Sequence, residues 1–529
     1  MNIKFLSLFA FSFFSLTVLA QRNANKETEK LDYLLYYLNN NYVDTLSSHQ
    51  IVEEGIRAML KELDPHSVYI SKEELKEMEE PLVGNFDGVG IQFNILEDTI
   101  VVVNTIVGGP SEKLGILAGD KIVMIESEIM AGIKIKNKDV ISRLRGPRGT
   151  VVKVSIFRKG VKNLIEYSIT RDKIPLTSID ATYMADPETG YIKLSRFSAT
   201  SGTEFLTSLE KLKKSGMKNL IIDLTGNGGG YLQTAIDIAD QVLTENNLVV
   251  YTKGRKPGSK TDYTSTDVGI FEKGKLIVLI DEGSASASEI VSGAIQDLDR
   301  GLIIGRRSFG KGLVQNSFAF PDGSAMRLTT ARYYTPSGRC IQKPYEKGVD
   351  DYYEDLNKRF KHGEFTNRDS ISFADSLKFY TLGKRLVYGG GGIMPDLFIP
   401  LDTSENSKYL TDVYRKGIFN TFALKYVDQN RESIRKQFPD FKSYKSEFKV
   451  SDVLLNDFIT AAEVEEIKPN DADINTSGDF IRRQLRAIIA NQIWGISEFY
   501  ECINESNPIV KEALIQMKSD NFKKLRLRF

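Results

Sequence analysis

Residues 275–320 constrain the fold of this chain more than any other stretch, because residue type changes there several times in a telling order. KLIVLI is an apolar run rich in β-branched residues; the small-residue cluster DEGSASAS follows, and then EIVSGAIQDLDRG. Such a run ends a buried parallel strand, and the small residues make the tight turn into a helix. Across Ala287–Asp297 the apolar positions Ile290, Val291, Ala294 and Ile295 fall on one helical face. A second apolar strand, residues 302–304, leads to Gly310-Lys311-Gly312, after which the chain alternates in strand fashion to Phe320. The order strand, turn, helix, strand predicts an α/β domain with Ser284, Ser286 and Ser288 at the turn.

Ser286 fits two readings. Ser286-Ala287-Ser288-Glu289 is a capping box, S-x-x-E at a helix start. The same place suits a nucleophile, since a helix N-terminus offers free N–H groups and a positive dipole end to an oxyanion. A serine nucleophile needs a base, usually histidine. This chain has three histidines, His49, His66 and His362, none near the turn in sequence, and His66 lies in an Asp-Pro turn where it reads as structural. Lysine serves instead if burial keeps it neutral, which means lowering its pKa from about 10.4 to near 7, a cost of roughly 4–5 kcal/mol. Lys311, between two glycines in an apolar context, is the candidate; an exposed strand-edge lysine is the alternative.

Two nucleotide readings fail on local detail. Residues 305–311 satisfy G-x-x-x-x-G-K, but Gly312 stands where Ser or Thr should hold Mg²⁺, and a strand-like run follows where a helix is needed. The turn Thr225-Gly-Asn-Gly-Gly-Gly230 follows the buried strand of residues 220–224, yet it lacks G-x-G-x-x-G spacing and an acidic ribose partner. Lys+Arg and Asp+Glu both number 70, so no net field favours nucleic acid. Three scattered histidines give no metal-ligand spacing, and no cofactor is implied. Cys340 and Cys502 are expected to be unpaired thiols.

At 529 residues the chain has room for several domains. Residues 1–20 have the pattern of a secretory signal, with Lys4, an apolar stretch, and Val18 and Ala20 before a cleavage point at Gln21. The expectation is an exported protein without a membrane span once mature. Leu31, Leu34, Leu35 and Leu38, and later Ile51, Ile56, Met59 and Leu60, predict helices, and Ser71 is a predicted cap. From Gly84 to Lys173 strands and glycine turns take over, with short helices expected at residues 110–117 and 137–144, the latter capped by Asn137. A loop of successive N–H groups at Gly88-Val89-Gly90-Ile91 can hold a terminal carboxylate, and the peptide then adds as a strand at the sheet edge. Residues 345–385 read as an insertion, and residues 405–529 carry helical periodicity, for example Phe480, Leu485, Ile488, Ile489, Ile493 and Trp494. The basic end, KKLRLRF, reads as a solvated terminus.

The stretch around Ser286 resembles the carboxy-terminal processing peptidases, or tail-specific proteases, which are serine proteases with a Ser–Lys dyad and a PDZ domain. Their S-A-S-A-S-E motif places the catalytic serine at Ser286, and their F-G-K-G lysine, 25 positions on, falls at Lys311. Their glutamine four positions later falls at Gln315, and their aspartate 11 positions after the serine at Asp297, as a supporting residue. The D-L-R-x-N-x-G-G turn is matched at residues 223–230 except for Thr225, where arginine is usual, which leaves open what replaces the arginine contacts. Oxyanion donors are then expected at Gly228 or Gly229 and at Ala287. L-D-P-H-S-x-Y at residues 63–69, P-S-E-K-L-G-I-L-A-G-D at residues 110–120 and L-R-G-P-R-G-T at residues 144–150 extend the likeness, which covers residues 30–400.

The resemblance implies a multidomain α/β protein. Its parts are a signal peptide (1–20), an N-terminal helical region (21–84), a PDZ domain (85–172) and a crotonase/ClpP-like α/β protease core (173–402), followed by a C-terminal helical extension (403–529). The PDZ domain is expected to be a small barrel-like sheet with two helices. The expected activity is that of an exported, periplasmic or cell-envelope endopeptidase cleaving near protein carboxy termini. Protein substrates with exposed tails are the expected partners, with a homodimer and an adaptor protein as further expectations. A peptide-binding protein that keeps the fold without the chemistry is the other reading; intact Ser286, Lys311 and Gln315 count against it.

Overall fold

The structure is a computed structural model describing residues 26–529. The expected leader, residues 1–20, lies outside the described residues. Residues 26–63 form one unit of two helices, Lys26–Asn41 and Ser48–Lys61. Both were predicted from leucine and isoleucine spacing; no residue of the first is buried.

The second unit runs from Asp64 to Phe529. Its centre is a six-stranded sheet in the order Ile179–Met184, Thr189–Leu194, Asn219–Asp223, Leu276–Ile280, Leu302–Gly305, Leu397–Phe398. The first pair is antiparallel and all the others parallel. Side chains alternate across such a sheet. Leu220, Ile222, Val278, Ile280 and Ile303 therefore face helices Ser201–Lys214, Leu232–Asp240 and Ala287–Asp297, with Phe205, Leu209, Ile238 and Val291 completing that core. Tyr191, Ile221, Ile277, Leu279, Leu302 and Ile304 point the other way.

What covers that opposite face corrects in part the reading of the basic terminus as solvated: Lys523, Lys524, Arg526 and Arg528 are exposed, but the segment that carries them is docked. Ile509, Val510, Ala513, Met517, Phe522 and Leu527 of the last segment pack on it, with Phe522 fully buried. The Arg528 N–H donates to the Asp299 carbonyl at 2.7 Å, and Lys275 Nζ donates to the carbonyls of Met517 and Ser519 at 2.6 and 3.1 Å. A largely parallel sheet is apolar on both faces and needs two covers. The chain's end supplies the second.

Two further sheets flank this core. One has the long strand Ala325–Tyr334 paired with Val68–Ile70, Leu248–Gly254 and Leu313–Ala319, and Thr261–Thr264 beyond Leu248–Gly254. The other follows the order Ile91–Leu96, Thr99–Thr105, Lys121–Ile125, Val151–Phe157, Ile165–Thr170, with its own apolar core. Strands Asn85–Gly88 and Asp172–Pro175 pair antiparallel and bring together the two ends of this module. Its helices are Pro110–Lys113 and Asn137–Leu144. The first is shorter than expected, because Gly115 takes φ +80° and turns the chain. The second is capped at Lys136, not Asn137: the Asp139 carboxylate accepts the Lys136 N–H at 3.1 Å. The predicted cap Ser71 is in place, sharing a capping box with Glu74.

Helices from Lys408–Arg415 to Ile496–Ile503 build a separate apolar cluster. One of them, Ile418–Gln437, reaches the module of residues 85–175, where Leu424 packs on Leu96, Val101 and Val103 and Lys425 pairs with Glu97 at 2.7 Å. Among the described residues no helix is long and apolar enough to cross a membrane.

Candidate active site

The strand–turn–helix unit forms where the sequence places it, with strand Leu276–Ile280 and helix Ala287–Asp297. Of the three serines in the turn, two serve the backbone. Ser284 Oγ donates to the Leu224 carbonyl and Ser288 Oγ to the Asn227 carbonyl, each at 2.8 Å, and both serines are fully buried. With the Ala285 N–H donating to the Asn227 carbonyl at 3.0 Å, these bonds stitch the serine turn to the glycine-rich turn. Ser286 is left partly exposed on the wall of a groove of about 920 Å³. Its backbone sits at φ 55° and ψ −111°, a conformation that side chains disfavour and that surrounding contacts must hold.

Glu289 supplies much of that hold. Its Oε2 accepts the N–H of Ser286 at 2.8 Å and that of Lys311 at 2.9 Å; its Oε1 accepts the N–H of Gly310 at 2.7 Å and the hydroxyl of Ser308 at 2.5 Å. The carboxyl is fully buried, and burial pushes its pKa up to about 7 against the opposing pull of those four donors. Tyr333 makes a second tie: its hydroxyl lies 2.7 Å from the Lys311 carbonyl and 3.1 Å from that of Ser286. Both ties join Ser286 to Lys311 across 25 residues of sequence.

Lys311 lines the same groove. Burial, and next the like charge of Arg327, push its pKa below the ordinary lysine value. Among the described residues no hydrogen bond joins its Nζ to the Ser286 hydroxyl. Gly310 sits at φ +90°, where any side chain is strained, and a Cβ would stand 3.0 Å from the Gly392 nitrogen. Helix Val349–Lys361, read as part of an insertion, braces this loop: Arg359 donates to the carbonyls of Ser308 and Arg307 at 3.0 and 2.7 Å.

The remaining candidates separate. Gln315 lines the groove, and its Nε2 donates to Thr329 Oγ1 at 3.4 Å. Thr329 Oγ1 in turn donates to Asp64 at 3.0 Å, in the turn that also holds His66. Burial and the nearby charge of Lys311 push the His66 pKa down to about 4, and its Nε2 lies 3.0 Å from the Tyr352 hydroxyl. Asp297 is not among the groove's lining residues. It is fully enclosed with Arg339 at 2.7 Å and accepts the Ser337 N–H at 3.0 Å, which pins the loop of residues 335–340 to the helix end.

In the glycine-rich turn, Asn227 is the template: its Oδ1 accepts the Gly229 N–H and its Nδ2 donates to the Leu194 carbonyl, each at 2.9 Å. The Gly229 N–H is thereby used, whereas the N–H groups of Gly228 and Ala287 have no acceptor among the described residues. A Cβ on Gly229 would meet the Ala285 carbonyl and the Ser286 Cβ at 2.8 Å, so this backbone lies directly against Ser286. The cation missing at Thr225 arrives from the adjacent strand. Buried Lys193 donates to the Thr225 carbonyl at 2.5 Å, the Thr225 hydroxyl at 2.9 Å and Asp223 at 3.0 Å.

A second candidate place lies in the module of residues 85–175. Among the described residues strand Ile91–Leu96 pairs only with Thr99–Thr105, so no strand described pairs with its other edge. At its start Gly90 takes φ +76°, and the N–H groups of Val89 and Gly90 have no acceptor among the described residues.

Residues 188–354 match peptidase family S41, and residues 409–495 match a family of unknown function, DUF8443. The carboxy-terminal-processing protease of Bartonella bacilliformis is 35% identical over 332 residues, 62% of this chain and 75% of that one. The chain belongs to the carboxy-terminal processing proteases of peptidase family S41. Two relatives from Bacillus subtilis, the carboxy-terminal processing proteases CtpB and CtpA, are 33% and 31% identical over 63% and 66% of this chain and 69% and 76% of their own. In this carboxy-terminal processing protease the motif residues Ser286 and Lys311 line one groove, and sequence reading did not single out the contacts of Glu289, Tyr333, Lys193 and Arg327 around them. Glu289 alone had a local signal, the S-x-x-E spacing, which was read as a cap. Tyr333, Lys193 and Arg327 act across strands, where sequence spacing carries no signal.

Proposed function

We propose that this protease cleaves protein tails with a Ser286–Lys311 dyad. The observation that carries the reading is the double tie of Glu289 and Tyr333, which holds the backbones of both residues on one groove. Neutral Lys311 takes the Ser286 proton as the hydroxyl attacks the scissile carbonyl, and the lysinium so formed protonates the leaving amine. The unpaired N–H groups of Gly228 and Ala287 hold the oxyanion; Gly229 is the weaker candidate because its N–H already serves Asn227. Gln315, on the same wall, orients the lysine or the substrate strand. Asp297 supports the site only through the loop it pins.

The module of residues 85–172 is proposed as a PDZ domain. The free edge of Ile91–Leu96 takes the tail as an added strand, and the N–H groups of Val89 and Gly90 take its carboxylate. This binding lies away from the reacting bond and raises the local concentration of substrate. Export to the cell envelope is part of the proposal and rests on the leader pattern of residues 1–20.

The test is cleavage of an unstructured tail fused to a stable domain. Ser286→Ala and Lys311→Ala should each lower the rate by at least about a thousandfold while peptide binding is retained. An active Lys311→Ala enzyme would reject the dyad, and wild-type protein that binds tails without cutting them would make this a scaffold.

A further inference from the structure

The groove holds a cation with no partner among the described residues. Strand Ala325–Tyr334 turns Arg327, Thr329 and Tyr333 toward the site: Tyr333 reaches Ser286 and Lys311, and Thr329 reaches Gln315. Arg327 lies two residues before Thr329, about 7 Å along the strand, opposite Ser317, and it too lines the groove. Among the described residues its guanidinium has neither a hydrogen bond nor an ion pair. Arginines elsewhere in the core differ: Arg306 pairs with Glu282, half-buried Arg307 with Glu364, and Arg339 with Asp297. The groove's carboxylates, Glu79 and Asp237, come from helices Lys72–Val83 and Leu232–Asp240, and Asp237 already accepts from Gln233 at 2.8 Å. Lys311, the remaining cation on this wall, must stay neutral to act as a base.

A guanidinium presents up to five donors in a planar fork suited to a carboxylate. Leaving one unpaired beside Lys311 has a cost in like-charge repulsion, which adds to burial, the larger cause, in lowering the Lys311 pKa. A substrate that brings a carboxylate removes that cost and gains a charge-assisted bond. Resting on the cleavage reading above, we propose that Arg327 is a specificity residue that binds a carboxylate of the substrate strand in the catalytic groove. The carboxylate is an Asp or Glu side chain or the chain's own terminus.

The experiment uses full-length protein and tail peptides in which one acidic residue, moved along the sequence, is compared with its isosteric amide, each with a free or an amidated C-terminus. In wild type, kcat/KM should favour the acid at one or two positions by about tenfold or more, and Arg327→Gln should bring that ratio to near one. Arg327→Lys should keep part of it, and Arg327→Glu should favour a lysine at the same position. If only amidation removes the dependence on Arg327, the ligand is the terminal carboxylate; if only the side-chain swap does, it is the side chain. An acid-to-amide ratio equal in wild type and Arg327→Gln at every position, with free and amidated termini alike, overturns the proposal. The same peptides bound to Ser286→Ala protein, with and without Arg327→Gln, report the preference without turnover. Failure of the dyad is thus distinguishable from failure of the arginine.

Discussion

In the proposed dyad Lys311 works only while uncharged, so its environment would set the pH range of cleavage. Burial and then Arg327 hold its pKa below the usual lysine value, and activity should rise with pH as that lowered pKa is passed. Replacing Arg327 with Gln removes one depressing charge. The rising limb of kcat/KM should then move to higher pH, and a profile left in place would show that burial alone sets the value. Glu289 belongs at this scale too. Glu289→Ala leaves three N–H groups and one hydroxyl without their acceptor, a loss of roughly 2–4 kcal/mol by denaturant unfolding, and should abolish turnover by releasing Ser286 from its strained φ of 55°. Asp297→Ala tests a different role. It strands Arg339 in a fully enclosed site, so stability should fall by about 3–5 kcal/mol. If Asp297 takes part in the chemistry instead, the variant would be inactive but as stable as wild type.

Among the elements, the turns and the last segment behave differently. The turn of residues 281–288 and the turn of residues 224–230 are rigid because each satisfies the other's backbone groups through Ser284, Ala285 and Ser288. They act as one piece, and a Gly229→Ala change, which places a methyl 2.8 Å from the Ser286 Cβ, should cost activity even where the protein still folds. The C-terminal segment is an element of the core. Phe522 is fully buried against the central sheet, and Phe522→Ala should lower unfolding free energy by about 3–5 kcal/mol. Removal of residues 508–529 should yield protein that binds a hydrophobic dye and unfolds without cooperativity, because one apolar face of the sheet is then bare. Were the terminus merely solvated, both variants would match wild type in thermal unfolding.

Across the whole molecule, the chain joins a groove that holds Ser286 and Lys311 to a module with a free strand edge, and the helical region matching DUF8443 touches that module at Leu424 and Lys425. Most of this architecture was legible before any coordinates. The strand ending at Ile280, the helix beginning at Ala287 and the helix spanning Leu485 and Ile488 all announce themselves through periodicity, which is a local property. That Ser286 and Lys311 would share one groove was legible through the spacing of a motif. The partners of Glu289, the cation of Lys193 at Thr225 and the covering of the sheet by Phe522 were not, since each depends on residues that meet only after the strands have paired.

The amino-acid sequence by itself determined the kinds of element, their order and the two residues on which the proposed chemistry turns. Tertiary structure decided which turn hydroxyl faces the groove and, among the described residues, which backbone N–H groups stay unpaired and which arginine lacks a partner. Those are questions of satisfaction, and a polar group is satisfied or left open only by what distant parts of the chain bring to it.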